Sequence, residues 1–187
     1  MTALAPWNGG FLAGTKSHGI WQFDASGRII GKWTRDRTEP NSLISDRIRC
    51  MLVDEQDRLW VGTERGLSYH DPQAWTASIF DLYNDDLRTR PEATIFGLAE
   101  DKGTLRIFTS EGLFETAAHD PGTIRHIPII ENGVSLAPTC NALSPKGEYF
   151  LGTETGLVVY DPVKGKVVER IPFYREIDKR PRPIGMH

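Results

Sequence analysis

Five arginines fall in short polar stretches of the chain. Arg35 and Arg37 lie in Thr34-Arg-Asp-Arg-Thr-Glu39, Arg65 follows Glu64, and Arg88 and Arg90 close Asn84-Asp-Asp-Leu-Arg-Thr-Arg90. A guanidinium presents a planar fork of donors that matches a carboxylate or sulfate, so arginines gathered on one surface suit an anionic ligand. His18, in Lys16-Ser-His18, joins them as a sixth candidate contact. Asp36, Glu39, Glu64, Asp85 and Asp86 are interleaved with these cations. The competing reading is therefore a solvated, self-neutralising rim.

Other reactive types are scattered. His70 and His119 stand beside Asp-Pro steps, His126 falls on an expected fourth strand and His187 at the end, with no pair at a metal-ligand spacing, so surface or turn positions are expected. Asp54, Asp57 and Asp101 sit where turns are expected, which argues against general acid–base roles. Cys50 and Cys140 are ninety residues apart, a spacing that excludes a disulfide scaffold and predicts two small buried side chains. Trp21, Trp33 and Trp60 occupy regular strand positions and are expected between packed sheets, whereas Trp7 and Trp75 are placed at turns. No Gly-x-Ser-x-Gly elbow, phosphate loop or dinucleotide fingerprint occurs. No catalytic residue, metal site or cofactor is assigned.

Composition narrows the classes further. The 187 residues carry 22 Lys and Arg against 25 Asp and Glu, a net charge of −3. That balance speaks against nucleic acid as a partner, because such proteins concentrate positive charge interleaved with exposed aromatics. No apolar run reaches the roughly 18 residues of a membrane helix, and Met1–Trp7 lacks the basic and apolar regions of a signal peptide, so no direct membrane insertion is expected. Eighteen Gly and twelve Pro indicate many turns.

What positions the arginines is a repeat. Phe11-Leu-Ala-Gly-Thr-Lys-Ser-His-Gly-Ile20, Leu59-Trp-Val-Gly-Thr-Glu-Arg-Gly-Leu67, Leu105-Arg-Ile-Phe-Thr-Ser-Glu-Gly-Leu113 and Tyr149-Phe-Leu-Gly-Thr-Glu-Thr-Gly-Leu157 share one pattern. Their second glycines, Gly19, Gly66, Gly112 and Gly156, follow at intervals of 47, 46 and 44. In the second copy, Arg47–Val53, Arg58–Thr63, Leu67–His70 and Ser78–Tyr83 read as strands, rich in apolar and β-branched residues. Asp57 suits a positive-φ turn, and Gly66, Gly112 and Gly156 suit backbone conformations that other residues resist. The third copy has Phe108 where the others have glycine, so its packing must differ.

No helical period is sustained, so the chain reads as all-β. Four antiparallel strands per repeat predict β-propeller blades, about four of them, approximately 1–45, 46–92, 93–138 and 139–182, with 183–187 starting a further blade. An up-and-down barrel or a β-sandwich would not keep its turns in phase across four copies.

Ser42-Leu-Ile-Ser-Asp-Arg-Ile-Arg49, with Leu52-Val-Asp54 and Arg58-Leu-Trp-Val-Gly-Thr63, closely resembles the two-component regulator propeller repeat. Residues Asn141–Pro162 match well, with Phe150 for the tryptophan, and the first and third copies match more loosely. The resemblance implies the extracytoplasmic, periplasmic sensor propeller of a bacterial hybrid histidine kinase or diguanylate cyclase, many of which respond to carbohydrate fragments. A small-molecule or carbohydrate ligand is then the expected partner. The chain is expected to be a non-catalytic fragment of a longer ring, completed by the parent's remaining blades or by a second copy. A stand-alone interaction scaffold that closes by dimerisation, and a propeller polysaccharide lyase or glycosidase, are the alternatives.

Overall fold

The structure, a computed structural model, describes residues 1–39, 41–72, 76–80, 93–118, 120–172, 174–177 and 180–183. It contains strands and no helix among those residues, and hence no helix long and apolar enough to cross a membrane. Four four-stranded antiparallel sheets follow one another along the chain. The first holds β1 (Ala3–Trp7), β2 (Gly10–Gly14), β3 (Ile20–Phe23) and β4 (Ile29–Trp33). The second holds β5 (Ile48–Val53), β6 (Leu59–Thr63), β7 (Gly66–Asp71) and β8 (Thr76–Phe80). The third holds β9 (Ile95–Asp101), β10 (Thr104–Thr109), β11 (Gly112–Ala117) and β12 (Asp120–Ile127). A short hairpin of β13 (Ile130–Glu131) and β14 (Val134–Ser135) then leads to the fourth, β15 (Cys140–Leu143), β16 (Tyr149–Thr153), β17 (Gly156–Asp161) and β18 (Lys166–Pro172). A hairpin of β19 (Tyr174–Ile177) and β20 (Arg180–Pro183) follows. Each blade is a meander in strand order, as the repeat predicts. The fourth strand of the second blade runs from Thr76, two residues before its expected start; 81–83 lie outside the described residues.

The repeated Gly-Thr-x-x-Gly-Leu pattern has a hydrogen-bonding basis. Thr63 Oγ1 donates to the Gly66 carbonyl at 2.8 Å and accepts from the Arg65 N–H at 3.0 Å. Thr109 with Gly112 and Glu111, and Thr153 with Gly156 and Thr155, make the same pair of bonds. A buried hydroxyl is thereby satisfied at each turn, which allows a polar side chain under the blade tip. Gly66, Gly112 and Gly156 have φ of +121°, +113° and +147°, and Asp57 has φ of +58° at the preceding turn, all as the sequence predicts.

Blades pack face to face through three apolar seams. Trp7, Leu12 and Ile20 of the first blade meet Ile48, Leu59 and Val61 of the second. Trp60 and Leu67 meet Ile95, Leu105 and Ile107 of the third. Phe108 and Leu113 meet Tyr149, Leu151 and Val158 of the fourth. Each fully buried aliphatic side chain in a seam stabilises the stack by about 1.5–3 kcal/mol. Trp60 also donates Nε1–H to Asp54 Oδ2 at 2.8 Å, and Arg58 Nε donates to the same oxygen at 2.7 Å. Asp54 and Arg58 are both buried, so this turn carboxylate anchors the blade's interior.

Glycine marks where neighbouring blades approach most closely. A Cβ on Gly62 would meet Cys50 Sγ and come within 2.6 Å of Ile95 Cγ2 in the next blade. In the third blade the bulky residue and the glycine exchange strands. Phe108 is fully buried and pairs across β9–β10 with Gly97, and it is Gly97 that receives Asn141 of the fourth blade.

Three expectations need correction. Trp7 ends β1 and is 6% exposed, held edge-on to Trp33 at 5.9 Å, because the last position of that strand faces the seam rather than a turn. Trp21 lies on the opposite face of the first blade from the seam and carries Lys32 Nζ 4.8 Å above its ring, since it pairs with Ala13 and Lys32 in register. Cys140 is exposed; it occupies the place that Cys50 holds in the second blade, but no described blade covers it.

Candidate functional site

The β2–β3 and β6–β7 turns and the segment joining the first two blades meet at one end of those sheets. Gly19 N–H donates to the Asp46 carbonyl at 3.0 Å and Ile48 N–H to the Thr15 carbonyl at 2.9 Å. Glu64 N–H donates to the Arg47 carbonyl at 3.2 Å, and Arg35 N–H to Asp46 Oδ1 at 2.7 Å. These bonds tie loops of both blades into one surface, a rigid scaffold presenting polar loops.

A cleft of about 550 Å³ opens there, lined by Ser17, Arg35, Asp46, Arg47, Glu64 and Arg65 with Ser45 at its base. Arg35 and Arg65, two of the residues singled out from sequence, line the same cleft and are both exposed. Arg37 lines a smaller neighbouring hollow of about 210 Å³, which Arg35 shares. His18 is exposed beside the cleft, its Nδ1 3.0 Å from Ser17 Oγ, but only its neighbour Ser17 lines the wall. Arg88 and Arg90 lie outside the described residues.

Arg47 completes the cluster and was assigned from sequence to the start of a strand. The signal for it was its place one residue ahead of β5, where the blade connection turns into the sheet. Arg47 Nη1 donates to Glu64 Oε2 at 2.9 Å and Arg49 Nη2 to Glu64 Oε1 at 2.7 Å. The hydrogen bond from Arg47, with the charge of Arg49, holds the Glu64 carboxyl below its ordinary range. Glu64 is thus a fixed anion that orients two guanidiniums, and Arg35 and Arg65 line the same cleft. Among the described residues of the lining, three arginines stand against Asp46 and Glu64. Such an arginine-lined cleft can hold a carboxylate or sulfate through bidentate bonds. Acidic residues do neutralise part of the rim, as the interleaved sequence indicates.

The histidines divide differently from expectation. His70 lies on β7, half-buried against Trp33 at 5.1 Å and Trp7 at 6.0 Å, because its place opposite Leu59 turns it into the first seam. His126 is exposed, with its ring stacked on Phe114 at 4.5 Å and Nε2 2.8 Å from the Glu111 carbonyl oxygen. His119 and His187 lie outside the described residues. Among the described residues no three His, Cys, Asp or Glu side chains gather as a metal site.

Comparison with known proteins agrees with this architecture. Residues 42–65 match the two component regulator propeller family. The extracellular domain described for the hybrid two component system BT3049 of B. thetaiotaomicron superposes with a TM-score of 0.71 at 22% identity, over 91% of this chain and 22% of that one. The corresponding domain of BT4673 from the same organism gives 0.68 at 21% identity, over 85% and 20%. A gluconolactonase, XC5397 of Xanthomonas campestris, gives 0.61 at 17% identity, over 87% and 58%. No curated protein matches the chain. The chain spans about a fifth of the length of the two extracellular domains. With its meander sheets and apolar seams repeating along the chain, the chain has the propeller fold, and its residues 42–65 are similar to the two component regulator propeller repeat.

Proposed function

We propose that the chain is an arc of a ligand-sensing, non-catalytic propeller in a bacterial two-component regulator. Its parent would couple an extracytoplasmic ligand to a transmembrane histidine kinase or diguanylate cyclase. The observation that carries this reading is the cleft over the first blade junction, where Arg35, Arg47 and Arg65 line one wall around the fixed Glu64. The repeat match over 42–65 and the likeness to extracellular domains of hybrid two component systems support it. The ligand class that suits the cleft is an acidic carbohydrate or another small anion, because bidentate arginine contacts give both affinity and orientation.

Calorimetric titration of the chain with glucuronate, and with glucose as the neutral control, tests the assignment. Glucuronate is expected to bind, glucose not, and Arg35→Ala with Arg65→Ala to weaken glucuronate roughly tenfold, equivalent to about 1.4 kcal/mol. Equal response to both sugars, or no effect of the substitutions, would remove the cleft from the function.

A second reading, an interaction scaffold that closes by pairing of two copies, rests on the outer faces of the terminal blades. Leu4 and Ile29 of the first blade are 61% and 59% exposed around a stacked Phe11–Phe23 pair at 4.7 Å. Phe150 and Ile171 of the fourth are 36% and 40% exposed. Light scattering separates the two: a dimer supports pairing, and a monomer supports an arc awaiting further blades.

A further inference from the structure

A second cavity, of about 410 Å³, lies on the other side of the loop that follows β4, between the first and second blades. Its volume is in the range of sites that enclose a small molecule. The inner wall is apolar and aromatic: Trp33 from β4, Leu43 from the loop, and Val61 and His70 from the second blade. The Trp33 ring meets the His70 ring edge-on at 5.1 Å, and Trp7 backs both at 5.9 and 6.0 Å, so this wall is held by the seam itself. The outer wall is the loop, with Asp36, Glu39, Asn41 and Ser42.

That loop is internally bonded. Asp36 Oδ1 accepts from the Thr38 N–H at 2.8 Å and from Thr38 Oγ1 at 2.7 Å. Ser42 Oγ accepts from the Asp36 N–H at 2.9 Å and donates to the Asp36 carbonyl at 2.6 Å. Ile44 N–H donates to Ser68 Oγ of the second blade at 3.0 Å, which fastens the loop's far end. The cavity is thus formed before any ligand arrives, and binding need not bear the cost of ordering it.

The charges around it are asymmetric. Asp36 is held ionised by its bonds from Thr38, and among the described residues no hydrogen bond or ion pair engages the Glu39 carboxylate. Burial keeps His70 below the ordinary imidazole range against the pull of Asp71, so its ring is neutral at pH 7, and among the described residues no hydrogen bond engages its nitrogens. Lys32 is a lining residue, but its ammonium lies over Trp21 on the opposite face of β4. Arg35 and Arg37 line the neighbouring hollow, which Asp36 and Glu39 share. An aromatic wall with carboxylates in the lining, and no ammonium or guanidinium of the described residues between them, suits a positively charged guest with an apolar body.

We propose that this inter-blade cavity is a binding site for an organic amine, its apolar body against Trp33 and His70 and its ammonium toward Asp36 and Glu39. The site is separate from the arginine cleft and selects the opposite charge, so its fate does not depend on the anion-sensing assignment.

The test titrates the chain with 2-phenylethylamine and, in parallel, with 3-phenylpropionate. Both are followed by calorimetry and by the indole Nε1–H resonance of Trp33, which is assigned from its loss in Trp33→Phe. Phenylethylamine is expected to shift that resonance and to bind at least tenfold more tightly than the acid. Glu39→Gln, which removes a charge that supports no bond in the fold, is expected to weaken the amine roughly threefold to tenfold. Equal binding of acid and amine, saturation without a Trp33 shift, an unchanged affinity in Glu39→Gln, or no binding at about 10 mM would each overturn the proposal.

Discussion

The substitutions Gly62→Ala and Gly152→Ala place the same methyl group at the same position of two blades, in surroundings that differ by one neighbour. Gly62 pairs with Cys50 and Leu67 across its sheet, and Gly152 pairs with Cys140 and Leu157. At Gly62 the new Cβ meets the Cys50 thiol and also Ile95, with Cγ2 at 2.6 Å and Cβ at 2.9 Å. Ile95 is fully buried between blades and its β-branched side chain has no room to retreat. At Gly152 the close contact is with the thiol of exposed Cys140, which can rotate away into solvent. Overpacking of a core costs about 1–3 kcal/mol, offset by up to about 1 kcal/mol from the stiffer unfolded chain when glycine becomes alanine. With a net cost of about 1–2 kcal/mol, Gly62→Ala is expected to lower Tm by roughly 2–8 °C, at about 2–4 °C per kcal/mol for a chain of this size. Gly152→Ala is expected to stay within about 0.5 kcal/mol of wild type. Thermal unfolding by circular dichroism reads both. Thiol labelling at pH 8 supplies an independent check, because burial pushes the Cys50 thiol up to about 12 while Cys140 is exposed. Of the two thiols, Cys140 alone should label. Equal Tm changes for the two substitutions would refute the claim that the glycine is set by the next blade's first strand.

Asp54→Ala removes the acceptor for Arg58 Nε, Trp60 Nε1 and the N–H groups of Gln56 and Arg58, and leaves a guanidinium with an 8% exposed side chain without its carboxylate, held by Gln56 Oε1 alone among the hydrogen bonds above. It should cost about 3–5 kcal/mol in urea unfolding, and Asp54→Leu with Arg58→Met should recover a large part, because the pair is then replaced by apolar volume. Glu100 tests the opposite sign. Its Oε2 accepts from the Glu55 N–H at 3.0 Å across the blade junction, while Oε1 is buried without a partner. Burial, with Asp54 and Glu55 nearby, raises its carboxyl above the ordinary value of 4.5. A group whose pKa is raised by folding contributes stability that is full below the unfolded value and is lost as pH rises through the folded one. Glu100→Gln should therefore be more stable than wild type at pH 7, with the difference fading toward pH 4.5. A difference independent of pH would show that Glu100 is not titrating across that junction.

Much of the fold was legible because a propeller blade is a local object. Each strand pairs with its sequence neighbour, so period-2 patterns, the Gly-Thr-x-x-Gly-Leu turns and the spacing of Gly19, Gly66, Gly112 and Gly156 carry the sheet order directly. The exchange of Phe108 and Gly97 shows the limit. The missing glycine was visible, but its replacement sits on the partner strand, where only the register reveals it. The candidate site was legible as a set of arginines in loops and not as a cleft. Arg35 and Arg65 belong to different copies of the repeat, and their meeting depends on how one blade stacks on the next.

The amino-acid pattern by itself determined the all-β class, the blade, its repeat and the end of the sheets on which polar loops gather, because those follow from contacts within about 46 residues of chain. The tertiary structure decided that Arg47 joins Arg35 and Arg65 over Glu64, that Trp7 and His70 turn into a seam beside a cavity, and that Cys140 is bare where Cys50 is covered. Each of those depends on the face a strand presents to a neighbouring blade. Alternation marks two faces on a strand, but only stacking determines which neighbour, if any, each face meets.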